Sequence, residues 1–199
     1  KSSKLPRIIY AHSMGGAIAA LFLEEHPEYF DAAVLSSPMF SIKTGKTPKI
    51  AVSLLCAKIR LLHQEHLPFP GGKRFDGIPR FESSSARSEV RYNYIFNQRL
   101  ADEQYQTYMM SNGWGAASFK ATRKILRNAY KVKIPVLLLT SGNDALVNMS
   151  GHKKFARRAA NVRHINFEGA KHELYNDIDE VREEYFNDIF TFIMSYAVN

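Results

Sequence analysis

The stretch RIIYAHSMGGAIAALFLEEHP, residues 7–27, changes its pattern at a serine, and this change decides the fold. Residues 7–12 form a short apolar run that is rich in β-branched residues, and such a run predicts a buried strand. Residues 15–26 are apolar nearly all round and reach acidic residues before Pro27, which predicts a helix that stops there. Ser13 therefore lies at a sharp turn between a strand and a helix, where it is either a nucleophile or the N-cap of the helix.

The rest of the chain repeats the alternation of strand and helix. Short apolar runs predict further strands at residues 32–36, 134–140 and 162–167. Helices are expected at residues 152–160 and 178–196, the latter because its apolar residues recur at spacings of three and four. Strands that alternate with helices predict an α/β fold, a parallel sheet with helices on both faces.

The interval between the second and third strands breaks this alternation and is too long for a connecting loop. It contains an apolar run at residues 51–63, a Pro/Gly loop, LPFPGG, at residues 67–72, and an aromatic helical stretch at residues 87–110. We therefore predict a helical cap inserted into the core. The predicted organisation is core at residues 1–40, cap at residues 41–113 and core again at residues 114–199.

The net charge of +8 is concentrated in the middle of the chain. Residues 39–130 hold 15 Lys/Arg against 6 Asp/Glu, so the insertion could face phospholipid head groups or nucleic acid. From charge alone, a merely solvated basic surface is the simpler explanation. The single Cys56 cannot form an internal disulfide, which fits a reducing compartment. The sequence has no Cys/His cluster of the zinc type and no glycine-rich phosphate loop, so we expect neither a metal nor a cofactor.

Ser13 lies in AHSMGG, which matches the G-x-S-x-G pattern of a nucleophile at a strand-to-helix turn, with Ala11 in place of the first glycine. The small residues Ala11 and Gly15 are expected to let strand and helix approach closely, with Gly16 giving further room. The helix N-terminus would also offer backbone N–H groups, such as that of Met14, to a developing oxyanion.

Two further residues complete a plausible catalytic set. Asp144 and His172 each follow a predicted strand, although an aspartate in a turn and a histidine on the surface would explain them singly. Together with Ser13 they stand in the order Ser, Asp, His, at the strand ends where open α/β sheets build their sites. This agreement favours catalysis over three separate structural roles.

The stretches AHSMGG, SGNDALV (residues 141–147) and GAKHE (residues 169–173) resemble the serine hydrolases grouped as lysophospholipases and monoacylglycerol lipases, the bacterial L2 type above all. The resemblance implies the α/β-hydrolase fold, with Ser13 as nucleophile, His172 as general base and acid, and Asp144 orienting His172. The implied reaction is hydrolysis of a carboxylic ester through an acyl-enzyme, without cofactor or metal, and lysophospholipids are the expected substrates. Further support comes from LFLEEHP (residues 21–27), DAAVLSSPM (residues 31–39) and SEVRY (residues 88–92).

In that family several strands precede the nucleophile, and one of the loops before it supplies a second oxyanion donor. Only twelve residues precede Ser13, so we expect this chain to be the C-terminal part of a longer protein. A monoacylglycerol lipase, a general carboxylesterase and a non-catalytic remnant that binds lipid or protein stay open as alternatives. We expect a lipid ester as substrate, no nucleic acid, and a cytoplasmic location with peripheral contact to the anionic inner face of the membrane.

Overall fold

Four parallel strands form the centre of the protein in a computed structural model, which describes residues 5–69, 72, 74–106 and 109–197. The strands lie side by side in chain order, and each pairs in parallel register with the next. The predicted parallel α/β sheet is thereby confirmed. The strands are β1 (Ile8–His12), β2 (Ala32–Ser36), β3 (Val136–Ser141) and β4 (Val162–Phe167).

Six α-helices surround or extend from this sheet within the described residues. Three of them match the helices predicted for the core at residues 15–26, 152–160 and 178–196. The helices are α1 (Ser13–Glu25), α2 (Lys49–Leu61), α3 (Glu89–Ala101), α4 (Asn112–Asn128), α5 (Met149–Arg158) and α6 (Asp179–Ala197).

The two faces of the sheet bury separate apolar cores. On one face, Leu23 of α1, Ile125 of α4 and Phe155 of α5 pack together over the sheet. On the other face, Tyr185 and Ile189 of α6 lie against it. Both middle strands are buried along their whole length, which explains why β2 and β3 read as continuous apolar runs. Helices cover both faces of the sheet, as predicted. Polar catalytic side chains are therefore expected at the ends of the strands.

Helix α4 is not among the helices predicted from the sequence. Its first turn contains two glycines, which weaken a helix. Here the glycines serve close packing instead. A Cβ at Gly113 would lie 3.1 Å from the Glu65 backbone oxygen, and one at Gly115 would lie 3.1 Å from the Phe69 ring. Ser111 begins the helix by accepting a hydrogen bond from the Trp114 N–H.

The segment between β2 and α4 contains α2 and α3, and none of its described residues belongs to a strand of the sheet. The aromatic stretch predicted as helical through residue 110 is helical only to Ala101. Asp102 ends α3, and its carboxylate accepts the Gln104 N–H to start a separate 3-10 turn, Glu103–Tyr105. Residues 107 and 108 of that stretch, and residues 70 and 71 of LPFPGG, lie outside the described residues. The boundaries 1–40, 41–113 and 114–199 stay a prediction.

No helix among the described residues combines the length and the apolar character that crossing a bilayer requires.

Candidate active site

Ser13 occupies the junction between β1 and α1 in a strained backbone conformation. Its φ is +50°, in the left-handed region that residues other than glycine seldom adopt. His12 occupies the N-cap position with extended backbone, and no side chain caps the helix there. The hydroxyl of Ser13 therefore does not cap α1 and points into other contacts.

The close approach at this turn falls on Gly16, which the sequence pattern names as giving further room, and not on Gly15. A Cβ at Gly15 would have no neighbour within 4 Å, whereas a Cβ at Gly16 would lie 2.6 Å from Pro38 Cβ. The residue after Pro38 also fixes the turn, since the Met39 N–H donates to the Ser13 carbonyl at 2.9 Å. The loop that follows β2 thus braces the strained serine, a long-range contact that local spacing does not reveal.

The three residues predicted from the order Ser, Asp, His lie together at the carboxyl ends of the strands. His172 Nδ1 lies 2.6 Å from Asp144 Oδ2, and His172 Nε2 lies 2.8 Å from Ser13 Oγ. A carboxylate only accepts, so Nδ1 carries the proton of the neutral imidazole, and Nε2 accepts the hydrogen bond from the serine hydroxyl. Asp144 and His172 are both buried.

Several donors converge on the Asp144 carboxylate. The Leu146 and Val147 N–H groups donate to Oδ1 at 2.8 and 3.0 Å, and the Ser141 hydroxyl donates to Oδ2 at 2.9 Å. Burial by itself would raise the pKa of Asp144, but the hydrogen bonds from His172 and from the backbone outweigh it and lower this pKa to about 2. The carboxylate is therefore charged at neutral pH.

Lys43 holds the loop that carries Asp144. This role of Lys43 is not predicted from the sequence. Its ammonium group donates to the Asp144 carbonyl, and its N–H donates to the Leu146 carbonyl at 2.9 Å. The neighbouring Ile42 forms an antiparallel bridge to Val147. The general basic character of this region was the only signal in the sequence, and it does not single out Lys43.

His12 lies beside the reactive imidazole. Its ring centroid is 4.9 Å from that of His172 and 5.1 Å from that of Tyr175. Burial, followed by the proximity of His172, lowers the pKa of His12 to about 4, so it is neutral at physiological pH. A neutral neighbour does not oppose the positive charge that His172 would acquire as a base.

Met14 follows the serine at the start of α1, where the first backbone N–H groups have no partner within the helix. Its sulfur accepts a hydrogen bond from the indole N–H of Trp114 at 3.3 Å, so α4 also reaches this corner of the site. The Met14 N–H therefore stays the expected oxyanion donor from this chain, next to the Ser13 hydroxyl. The arrangement can remove a proton from Ser13, stabilise the resulting imidazolium, and give the proton to a leaving group.

Comparisons with known proteins place the chain among hydrolases. Residues 1–179 match the model of the Hydrolase_4 family, described as serine aminopeptidase S33. A monoglyceride lipase homolog of monkeypox virus is 28% identical over 192 residues, which cover 96% of this chain and 64% of the viral protein. Lysophospholipase L2 of Escherichia coli is 28% identical over 188 residues, covering 88% of this chain and 54% of that enzyme.

A solved structure shows the same fold. The monoacylglycerol lipase of Paleococcus ferrophilus superimposes with a TM-score of 0.71 at 22% identity, covering 95% of this chain and 68% of that one. The chain thus spans between about half and two thirds of the length of the curated relatives described above.

Proposed function

Because the chain belongs to the Hydrolase_4 family of α/β-hydrolases, we propose that it carries the catalytic residues of a carboxylic ester hydrolase. Ser13 is the nucleophile, His172 the general base and acid, and Asp144 the carboxylate that orients His172. The observation that carries the proposal is the continuous hydrogen-bonded path from the Asp144 carboxylate through both ring nitrogens of His172 to Ser13 Oγ. Names of relatives alone would support the family but not these roles.

In the first half of the reaction, Ser13 Oγ attacks the ester carbonyl while its proton passes to His172 Nε2 across the 2.8 Å hydrogen bond. The imidazolium is stabilised by the charged Asp144, whose low pKa keeps it from taking the proton itself. The oxyanion forms near the positive end of α1, with the Met14 N–H as the proposed donor.

The tetrahedral intermediate then collapses. His172 returns the proton to the departing alcohol, and the acyl group stays on Ser13 as an ester. Water then enters, gives a proton to His172, and attacks the acyl carbonyl. As this second intermediate collapses, His172 returns the proton to Ser13 Oγ and the fatty acid is released. The three side chains supply the nucleophile and the proton transfers, so the cycle needs no metal or cofactor.

Residues 41–113 are proposed to cap this site and select the substrate. The observations in support are local: Lys43 holds the Asp144 loop, and Lys171, next to His172, donates to the Glu82 carbonyl at 3.2 Å. The excess of basic residues in this segment favours a substrate with an anionic head group, hence a lysophospholipid. A monoacylglycerol is the alternative, since it offers the same ester without the phosphate.

Helix α2 offers a surface for peripheral contact with an anionic membrane. Ile50, Leu54 and Leu61 recur along one side of the helix and are 75%, 67% and 79% exposed. Lys58 and Arg60 are exposed on either flank of this stripe. An exposed apolar stripe with basic flanks is typical of helices that lie in the membrane interface.

The membrane contact is tested with vesicle sedimentation. Leu54→Glu should lower binding to vesicles with anionic lipid by about tenfold. Val90→Glu, which changes an even more exposed apolar residue of α3, should leave it unchanged. Equal binding by both variants and the wild type would argue for a solvated basic surface.

The catalytic proposal is tested by hydrolysis assays on the full-length gene product. A short p-nitrophenyl ester measures the chemistry without any head group, and Ser13→Ala should abolish its turnover above background. Lysophosphatidylglycerol and a monoacylglycerol of the same chain length are then compared by kcat/KM. A preference for the neutral lipid would contradict the head-group proposal, and unchanged turnover in Ser13→Ala would contradict the catalytic one.

A further inference from the structure

The inserted segment holds the loop that carries His172 on both sides of the imidazole. Before the histidine, Lys171 Nζ donates to the Glu82 carbonyl at 3.2 Å. After it, the Glu173 N–H donates to the Ser85 carbonyl at 3.0 Å. The position of His172 therefore depends on residues about 90 positions earlier in the chain.

An ion pair with a buried carboxylate forms the third of these contacts. Arg87 Nε donates to the two carboxylate oxygens of Asp177 at 2.7 and 3.0 Å, and an Nη nitrogen of Arg87 lies 2.6 Å from Oδ1. The Asp177 side chain is completely buried, whereas that of Arg87 is partly exposed. A fork of donors on one carboxylate fixes direction as well as distance.

The neighbouring backbone extends the same contact. Arg91 donates to the Asp177 carbonyl at 2.8 Å, and the Ser88 N–H donates to the Asn176 carbonyl at 3.3 Å. Residues 87–91, at the start of α3, thus hold the end of the histidine loop, which passes directly into α6. The contact runs from the insertion to the loop without touching Ser13 or Asp144.

We propose that Arg87 and Asp177 are positioning residues that act through His172. The proposal rests on the catalytic role proposed for His172 and adds how its ring is kept in place. The ring must hold two short hydrogen bonds at once, 2.6 Å to Asp144 and 2.8 Å to Ser13. A displacement of about 1 Å at such a site can cost about 10²-fold in rate. By this means the insertion controls the chemical step as well as the choice of substrate.

The experiment compares two matched substitutions in the full-length protein, Arg87→Met and Arg163→Met. Arg163 pairs with Asp188 at 3.0 Å and joins β4 to α6, away from the histidine loop, so it controls for the loss of an Arg–Asp pair as such. Turnover of a short p-nitrophenyl ester gives kcat and KM. The far-downfield proton resonance of His172 Nδ1 reports the hydrogen bond to Asp144 directly.

We expect Arg87→Met to lower kcat by about 10- to 100-fold with KM within about twofold, and to broaden or shift the Nδ1 resonance. Arg163→Met should change neither. Arg87→Lys keeps the charge but not the fork, and should recover part of the rate and of the resonance. If Arg87→Met does not fold, Arg87→Lys decides: a lowered kcat with an unperturbed melting temperature supports the proposal.

Wild-type kcat in the folded Arg87 variants, or the same loss in Arg163→Met, would overturn the positioning role. The catalytic proposal and the positioning proposal can be contradicted independently of each other. A wild-type protein without esterase turnover would end the catalytic proposal, while the Nδ1 resonance would still show whether Arg87 places His172.

Discussion

Glu24 provides a test of the folded structure that is independent of catalysis. This residue of α1 is only 5% exposed, and its two carboxylate oxygens have no hydrogen bond of good geometry within the described residues. Burial raises the pKa of Glu24 to about 7, although Asn128, Lys124 and Lys131 act in the opposite direction. The carboxyl group is therefore protonated in the folded protein at a pH where the unfolded chain has already released the proton.

The raised pKa of Glu24 makes the free energy of unfolding depend on pH, because the folded and unfolded states bind different numbers of protons. A carboxyl whose pKa is higher in the folded state contributes less to stability as the pH rises from 4.5, and the loss is complete above about 7. At about 1.4 kcal/mol for each pH unit, the separation corresponds to about 3 kcal/mol. Glu24→Gln removes the titration, so its free energy of unfolding relative to the wild type should rise by about 2–3 kcal/mol between pH 5 and pH 8.

Urea unfolding at a series of pH values measures this difference, provided that the m-value is unchanged. Glu25→Gln is the matched control. Glu25 is exposed, and its hydrogen bond to Lys124 lowers its pKa below the usual value, so it stays charged throughout this range. If the difference in the free energy of unfolding between Glu24→Gln and the wild type does not change with pH, the pKa of Glu24 is not raised in the folded protein.

Three further predictions concern the site and its support. Gly16→Ala places a Cβ 2.6 Å from Pro38 Cβ and should cost about 1–3 kcal/mol in thermal or urea unfolding, whereas Gly15→Ala, with no neighbour within 4 Å, should be neutral or stabilise by up to about 1 kcal/mol; equal costs would show that the turn is not limited by Pro38. Asp144→Asn should lower kcat for a short ester by about 10⁴-fold with KM little changed, because the amide cannot hold His172 in the required tautomer, and a loss below tenfold would contradict that role. Burial lowers the pKa of His152 to about 4, so its contribution to stability is present above pH 6.5 and is lost as the pH falls toward 4; unfolding of His152→Gln should lack this acid-dependent loss, and a wild-type slope in the variant would exclude His152 as its source.

The strands and the three proposed catalytic residues could be predicted because their signals are local. A fully buried strand such as β3 needs a run of apolar residues, and the order Ser13, Asp144, His172 can be read from positions next to such runs. The strained turn at Ser13 also follows from a strand that ends directly before a helix. Each of these inferences uses only neighbours in the sequence.

What could not be predicted depends on residues far apart in the chain. The motif around Ser13 calls for a small residue at Gly16 but does not identify Pro38 as the residue that packs there. Lys43 matters because the Asp144 loop reaches it, and that contact leaves no pattern in its own segment. Helix α4 begins with glycines that local propensity counts against a helix, and packing against α1 and α2 overrides that preference. The ion pair of Arg87 with Asp177 joins residues 90 positions apart, so the sequence around either residue does not predict it.

Labelling by a fluorophosphonate tests most directly whether Ser13 is a catalytic nucleophile, because this probe reacts with a serine only when a base activates it. The full-length protein is treated with the probe, digested, and the modified peptide is identified by mass spectrometry. We expect one adduct on Ser13, absent in Ser13→Ala and formed much more slowly in His172→Gln. A full-length protein that stays unlabelled, or that is labelled at another serine, would contradict the catalytic role of Ser13.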